Sequence, residues 1–231
     1  MIVRPTNLYD AHPWGDSEII KLDTPVDGIE QIIYVQIPKN ASCWAKYHLT
    51  ESNPYNYHDN EFDVDSTLFT VILRDPFQRW ISGMGQFLAG HPPLSMYNID
   101  RLDWLQVLDT VVYDNHTHPQ VDYIANIPYN NIVWFRCDQD LTKNFTAWSQ
   151  QFNINLTQLA ESADIENIFN VTKKVPTRLI ESNNYMAPPQ QEIVDKLVSV
   201  LEQHPEYVER IKEFYKKDYE LYHSVPYYVT R

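Results

Sequence analysis

Two short stretches of this 231-residue chain carry residue types suited to gripping an anion, and a third carries histidines suited to moving a proton. The first is Pro38-Lys39-Asn40-Ala41-Ser42-Cys43, in which Lys39 supplies a full positive charge and Ser42 a hydroxyl donor. The second is Arg74-Asp75-Pro76-Phe77-Gln78-Arg79-Trp80-Ile81-Ser82. Arginine presents a planar fork of N–H donors that matches a pair of phosphate oxygens. The third is Asn115-His116-Thr117-His118-Pro119-Gln120, and imidazole is the side chain whose ordinary titration range spans neutral pH.

Such residues act only if local structure aims them. The apolar run Ile32–Ile37 reads as a strand, and Pro38 ends it because proline cannot donate to a ladder. Small residues follow, then a helix predicted from about Ser42 to Leu49. A strand–turn–helix of this kind points free backbone N–H groups and a positive helix end at one spot above a sheet edge, a place for a phosphate. An ordinary turn with a solvated lysine fits the same residues equally well. No Gly-x-x-x-x-Gly-Lys-Ser/Thr loop is present, which counts against a Walker-type nucleotide hydrolase.

In the second stretch the run Leu68–Leu73 leads directly into Arg74. Asp75 followed by Pro76 predicts a helix start, a capping carboxylate before proline at the first helical position. Arg74 therefore falls at the C-terminal edge of a buried strand, where ligands of parallel sheets bind. Helical spacing sets Gln78, Arg79 and Ser82 on the polar face, and Phe77, Trp80, Ile81 and Met84 on the apolar one. Arg74 and Ser82 are expected to converge on one anion, whereas Arg79 is expected on a solvated face.

A third strand is predicted at Ile132–Phe135, and all three runs are continuous and rich in β-branched or aromatic residues, as strands buried on both faces are. Helical stripes lie between and after them: Leu102/Leu105/Leu108/Val112, Leu141/Phe145/Trp148/Phe152, Ile193/Leu197/Leu201 and Val208/Ile211/Tyr215/Tyr219/Tyr222. Alternating strands and helices give an α/β class with a parallel sheet. The polar or irregular segments 53–66, 91–99 and 160–189 read as surface loops. One domain is expected over residues 1–231, with its core at about 31–222.

The composition narrows the function further. A net charge of −13 excludes a sequence-independent nucleic-acid binder, which needs a broad basic surface. It leaves room for an anionic cofactor in a locally cationic cleft. No apolar run reaches bilayer-spanning length, and Met1–Pro5 lacks a signal-peptide pattern, so a soluble, cytoplasmic chain without a membrane span is expected. Cys43 and Cys137 have no metal-ligand spacing and are read as reduced thiols. Lys173, Lys174 and Arg178 form a further basic cluster, read as a solvated charge run, as a contact for an acidic acceptor, or as a loop over the cofactor with Lys174 among the binding residues. The loop Tyr55-Asn56-Tyr57-His58 has rings that would suit stacking on a sugar.

Together the first two motifs resemble the sulfotransferase family, and more closely its carbohydrate (Golgi-type) branch than the phenol and steroid enzymes. Pro38-Lys39-Asn40-Ala41-Ser42 resembles the loop that holds a 5′-phosphosulfate, and the Arg74–Ser82 segment is similar to the one that holds a 3′-phosphate. Asn115–Gln120 resembles the branch's His-x-x-Pro-Gln stretch, and Asp218–Tyr222 its closing helix. The resemblance implies a three-layer sandwich, a central parallel sheet flanked by helices in the P-loop-NTPase-like sulfotransferase fold. It implies 3′-phosphoadenosine-5′-phosphosulfate (PAPS) as sulfuryl donor, no metal, and a hydroxyl acceptor, carbohydrate first. Lys39 would face the bridging oxygen, while Pro38 to Cys43 would line the 5′-phosphate. Arg74 and Ser82 would hold the 3′-phosphate, and His116 or else His118 would act as base. Cys43 stands where relatives carry Ser or Thr, and a thiol donates more weakly than a hydroxyl. The competing readings are a nucleotide-dependent kinase and a PAPS-binding protein without transfer activity.

Overall fold

The computed structural model describes residues 17–49, 52–55, 62–90, 102–125, 127–137, 140–156 and 190–225. The chain divides into two compact units, each assembled from separate stretches of sequence. One holds 13–74, 120–173 and 221–231 and contains the sheet; the other holds 1–12, 75–119 and 174–220 and is helical.

The sheet unit has five strands: β1 (Ser17–Val26), β2 (Ile29–Val35), β3 (Asn53–Tyr55), β4 (Thr67–Leu73) and β5 (Ile132–Arg136). Their order is β3-β1-β2-β4-β5. β2, β4 and β5 run parallel, with Tyr34 opposite Thr70 and Val71 opposite Trp134. These are the three strands that the apolar runs predict, and the α/β class with a parallel core holds. The sheet extends beyond that core on one side. β1 and β3 join antiparallel, so part of the 53–66 segment read as loop is an edge strand. Asp27 and Gly28, at φ 51° and 83°, make the tight β1–β2 turn, whose two positive φ values suit the right-handed twist of a hairpin.

Side chains alternate strictly across this sheet, because successive residues of a strand point to opposite faces. Ile32, Tyr34, Leu68, Ile72 and Phe135 face a core shared with α1 (Ser42–His48) and with Leu141, Phe145 and Trp148. Those last three lie on a helix at Leu141–Gln151. Ile33, Val35, Phe69, Val71, Leu73 and Trp134 face a second core closed by Tyr123, Ile127 and Val225. All seven residues of β4 are buried, as a central strand covered on both faces requires.

The helical unit is built around α2 (Pro76–Gly90), followed by α3 (Trp104–Leu108). With the 141–151 helix as α4, the C-terminal helices are α5 (Gln190–Gln203), α6 (Pro205–Phe214) and α7 (Lys216–Ser224). Trp80, Met84 and Leu88 of α2 pack with Ile193, Leu197 and Leu201 of α5 and with Ile211 and Tyr215. The backbones of α2 and α5 approach so closely that a Cβ on Gly85 would overlap the Val194 side chain. The 102–112 stripe shortens to five helical residues, and Leu105 is exposed where the periodicity places it in a core. The last tyrosine-rich stripe is divided between α6 and α7, with the break at Tyr215. No helix among the described residues is long and apolar enough to cross a membrane.

Candidate functional site

In the sheet unit the chain leaves β2 at Val35, turns, and enters α1 at Ser42. The turn closes with the Asn40 amide donating to the Ile37 carbonyl at 3.2 Å. Lys39 and Ala41 both adopt left-handed backbone angles, φ 70° and 57°, without being glycine. Each such residue costs about 1–2 kcal/mol, so the surroundings must hold the turn in that shape. Two side chains do so. Arg74 donates from Nη1 to the Lys39 carbonyl at 3.1 Å. Asn40, fully buried, donates from Nδ2 to the Ile72 carbonyl at 2.8 Å and to Oε1 of Gln120 at 2.6 Å.

The candidate residues of this unit thus differ in exposure. Pro38 and Lys39 are half-buried, as is Arg74, while Asn40, Ala41 and Ser42 are buried and Cys43 is exposed. Ala41 caps α1, its carbonyl accepting from the Ala45 amide at 2.9 Å. Both cysteines are free thiols. The donor set of ammonium, guanidinium, hydroxyl and backbone amides is suited to phosphate or sulfate oxygens and poor in carboxylates. Among the described residues no group of three His, Cys, Asp or Glu side chains is arranged to hold a metal ion. Nearby in sequence, the Tyr34 hydroxyl is fully buried with no hydrogen-bond partner among the described residues. Burial pushes its phenol far up, and Cys137, Cys43 and Glu18 add to the shift.

The helical unit carries the rest. Asp75 caps α2, its Oδ1 accepting from the Gln78 amide at 2.9 Å, as the Asp-Pro pair predicts. Along one face of α2, Arg79, Gly83 and Gln86 stand at helical spacing and form a shelf for the 113–118 turn. Arg79 donates to the His118 carbonyl at 2.6 Å and to the Asn115 carbonyl at 3.3 Å. It is 1% exposed, which overturns its expected place on a solvated face. Gln78 on that face is exposed, but the 113–118 turn covers Arg79. A Cβ on Gly83 would overlap the His116 carbonyl oxygen, so only glycine lets the turn lie this close. The Tyr215 hydroxyl donates to the Thr117 carbonyl from a third direction.

Within that turn the His116 ring is held at both nitrogens. Nδ1 lies 2.8 Å from Oδ2 of Asp114, and Nε2 lies 2.9 Å from Nε2 of Gln86. The Asp114 carboxylate requires the proton on Nδ1, which leaves the Nε2 lone pair to accept from the Gln86 amide. Asp114 also accepts the His116 backbone amide on Oδ1 at 2.9 Å, so one carboxylate positions both backbone and ring. Thr117, buried, closes the turn by accepting from the Tyr113 amide at 2.8 Å and the Asp114 amide at 3.1 Å. His118 is half-buried and tied down through its carbonyl. Ser82 is also half-buried, and its carbonyl accepts from the Gln190 amide at 3.3 Å.

Each unit therefore brings some of the candidates together: Lys39, Asn40 and Arg74 in one, His116 and His118 on the α2 shelf in the other. Sequence reasoning passed over Asp114 and Gln86, and quoted Gln120 within the His-x-x-Pro-Gln stretch without giving it a role. Asp114 stands two residues before His116, a spacing that signals a local carboxylate–imidazole pair. Lys173, Lys174 and Arg178 and the loop residues 56–58 lie outside the described residues.

A family model described as Sulfotransferase family matches residues 23–227. No curated protein and no solved structure matches the chain. The matched span runs from β1 to beyond α7 and takes in every motif described above, and on that match the chain belongs to the sulfotransferase family.

Proposed function

We propose that the chain uses PAPS as donor for the sulfuryl transfer of its family, and that its acceptor is a hydroxyl, with carbohydrate hydroxyls the leading class. The observation that carries this reading is the 3.1 Å bond from the Arg74 guanidinium to the Lys39 carbonyl. It joins the two anion-gripping motifs at the C-terminal edge of adjacent parallel strands, β2 and β4, the edge at which such sheets bind nucleotides. A donor carrying phosphates at both its 5′ and 3′ positions calls for two such motifs.

When bound, PAPS would supply an activated sulfuryl group, transferred from its 5′-phosphate oxygen to the acceptor oxygen. The residues of this chain would position the partners and neutralise charge, as in phosphoryl transfer. The Lys39 ammonium would balance the charge developing on the departing bisphosphate. Ser42 and the amides of the turn would hold the 5′-phosphate, and Arg74 with Ser82 the 3′-phosphate. His116 would take the acceptor proton on Nε2, with Asp114 stabilising the imidazolium through Nδ1. In that role Gln86 would yield its contact with Nε2 to the acceptor hydroxyl.

Calorimetric binding of 3′-phosphoadenosine-5′-phosphate (PAP), with 5′-AMP and ATP–Mg²⁺ as controls, tests the donor. The expected result is a clear preference for the 3′-phosphorylated ligand that Arg74→Ala abolishes. Preference for ATP–Mg²⁺, or no binding, would defeat the reading.

A further inference from the structure

Arg74 lies one residue beyond the end of β4, where the ladder stops. The last ladder contact is the Cys137 amide donating to the Leu73 carbonyl at 2.7 Å. The Arg74 amide and carbonyl would therefore lack a strand to pair with. One side chain takes the strand's place. Gln120 accepts from the Arg74 amide on Oε1 at 3.1 Å and donates from Nε2 to the Arg74 carbonyl at 3.0 Å. A primary amide carries a donor and an acceptor at nearly the spacing of a backbone peptide, so it can mimic the missing neighbour.

The same Oε1 also accepts the Asn40 Nδ2 amide at 2.6 Å. Asn40 and Gln120 are both fully buried. The orientation of each amide follows from its partners: Asn40 Nδ2 meets two acceptors, and Gln120 meets a donor and an acceptor on opposite sides. Gln120 thereby ties the phosphate-type turn to the backbone that carries the guanidinium. Asn40 and Gln120 are withdrawn from solvent, so the bond between them is costly to lose.

We infer that Gln120 is a positioning residue: its amide clamps the Arg74 backbone and the Asn40 side chain together and so fixes the Lys39 turn and the Arg74 guanidinium as one two-part anion grip. This rests on the cofactor reading above for its consequence, though not for the clamp itself. Gln120 would act through Arg74 and Asn40 without touching the ligand. A flexible Arg74 backbone would lose the bidentate fit that a 3′-phosphate demands while leaving the turn able to bind a 5′-phosphate. Loss of the Asn40 link would loosen the turn and weaken both ligands alike.

The test uses the full chain with Gln120→Met and Asn40→Ala, and reads two quantities. One is hydrogen exchange of the Arg74 amide without ligand. The other is the ratio of PAP to 5′-AMP affinity. In Gln120→Met the Arg74 amide should exchange at least about tenfold faster and the ratio should fall about tenfold. In Asn40→Ala the Arg74 amide should stay protected and both affinities should fall together, with the ratio kept. An unchanged Arg74 exchange rate in Gln120→Met overturns the clamp. A ratio that falls in both variants, or in neither, overturns the positioning role. If Gln120→Met does not fold, Asn40→Ala decides, since a fall in its ratio or in its Arg74 protection is incompatible with separate links. A wild-type chain that shows no preference for PAP defeats the cofactor reading instead, and the exchange data then decide the clamp alone.

Discussion

The guanidinium of Arg79 reaches from the second turn of α2 to the carbonyl oxygen of His118, 2.6 Å away, and spans to Asn115 with its other nitrogen. A buried arginine is tolerable only when its donors are satisfied, and here carbonyl oxygens of one turn satisfy them. The arginine therefore anchors the turn that carries both histidines.

Replacing it should be costly. Arg79→Ala removes two charge-assisted bonds and leaves two buried carbonyls without these donors, an expected loss of about 2–4 kcal/mol in unfolding free energy. Urea denaturation followed by circular dichroism reads this directly. A change within about 0.5 kcal/mol, the range of ordinary surface substitutions, would show that Arg79 is not the anchor.

Gly83 admits the same turn by having no side chain. Gly83→Ala gains helix propensity of about 1 kcal/mol, yet its Cβ would meet the His116 carbonyl, backbone that cannot rotate away. The overlap should win, giving net destabilisation of about 1–3 kcal/mol and a displaced His116. A thermal melt at or above the wild-type midpoint would count against this packing.

Under the proposed assignment of the base, His116→Ala should collapse turnover while leaving PAP affinity nearly intact. Asp114→Asn keeps the shape of the side chain but withdraws the charge facing Nδ1, and turnover should fall by about 10²-fold or more. Steady-state rates set beside calorimetric affinities separate the two effects. Turnover preserved in both variants would remove His116 from the chemistry and leave His118 to be tested.

Tyr34 and Tyr219, both with strongly raised phenols, contribute to the alkaline behaviour. The Tyr219 phenol is pushed up to about 12, by burial first and then by the Asp75 carboxylate, and burial raises the Tyr34 phenol further. A raised folded-state value means that the folded chain keeps its proton where the unfolded chain loses it. The associated stability is full below the ordinary phenol range near pH 10 and falls as pH rises from there towards 12 and beyond. Tyr34→Phe should flatten part of that fall. It should also leave stability at pH 7 unchanged or raise it by about 1 kcal/mol, because it removes a buried hydroxyl without a partner among the described residues. A destabilised Tyr34→Phe at neutral pH would show that the hydroxyl is satisfied after all.

Much of this arrangement was legible in the residues themselves. The runs at 32–37, 68–73 and 132–135 had to be buried strands because their side chains are apolar on both alternating faces, and β2, β4 and β5 lie there. Asp75-Pro76 had to start a helix, since capping and a fixed φ are local properties that need no tertiary partner. The Asp27-Gly28 turn was legible too, and reading it would have exposed β1 and the hairpin in advance. Other features depended on what folds over what. Helical spacing put Arg79 on a polar face correctly, but only the packed 113–118 turn decided that Arg79 itself is buried. The His-x-x-Pro-Gln stretch marked Gln120 without assigning it a role, because that role arises from the Arg74 backbone 46 residues away and from Asn40, 80 away. Sequence by itself determined the strands, the caps and the charged groups, which are set by interactions within a few residues. Tertiary structure alone decided which polar groups are withdrawn from water and must find partners, because burial is a property of the assembled chain.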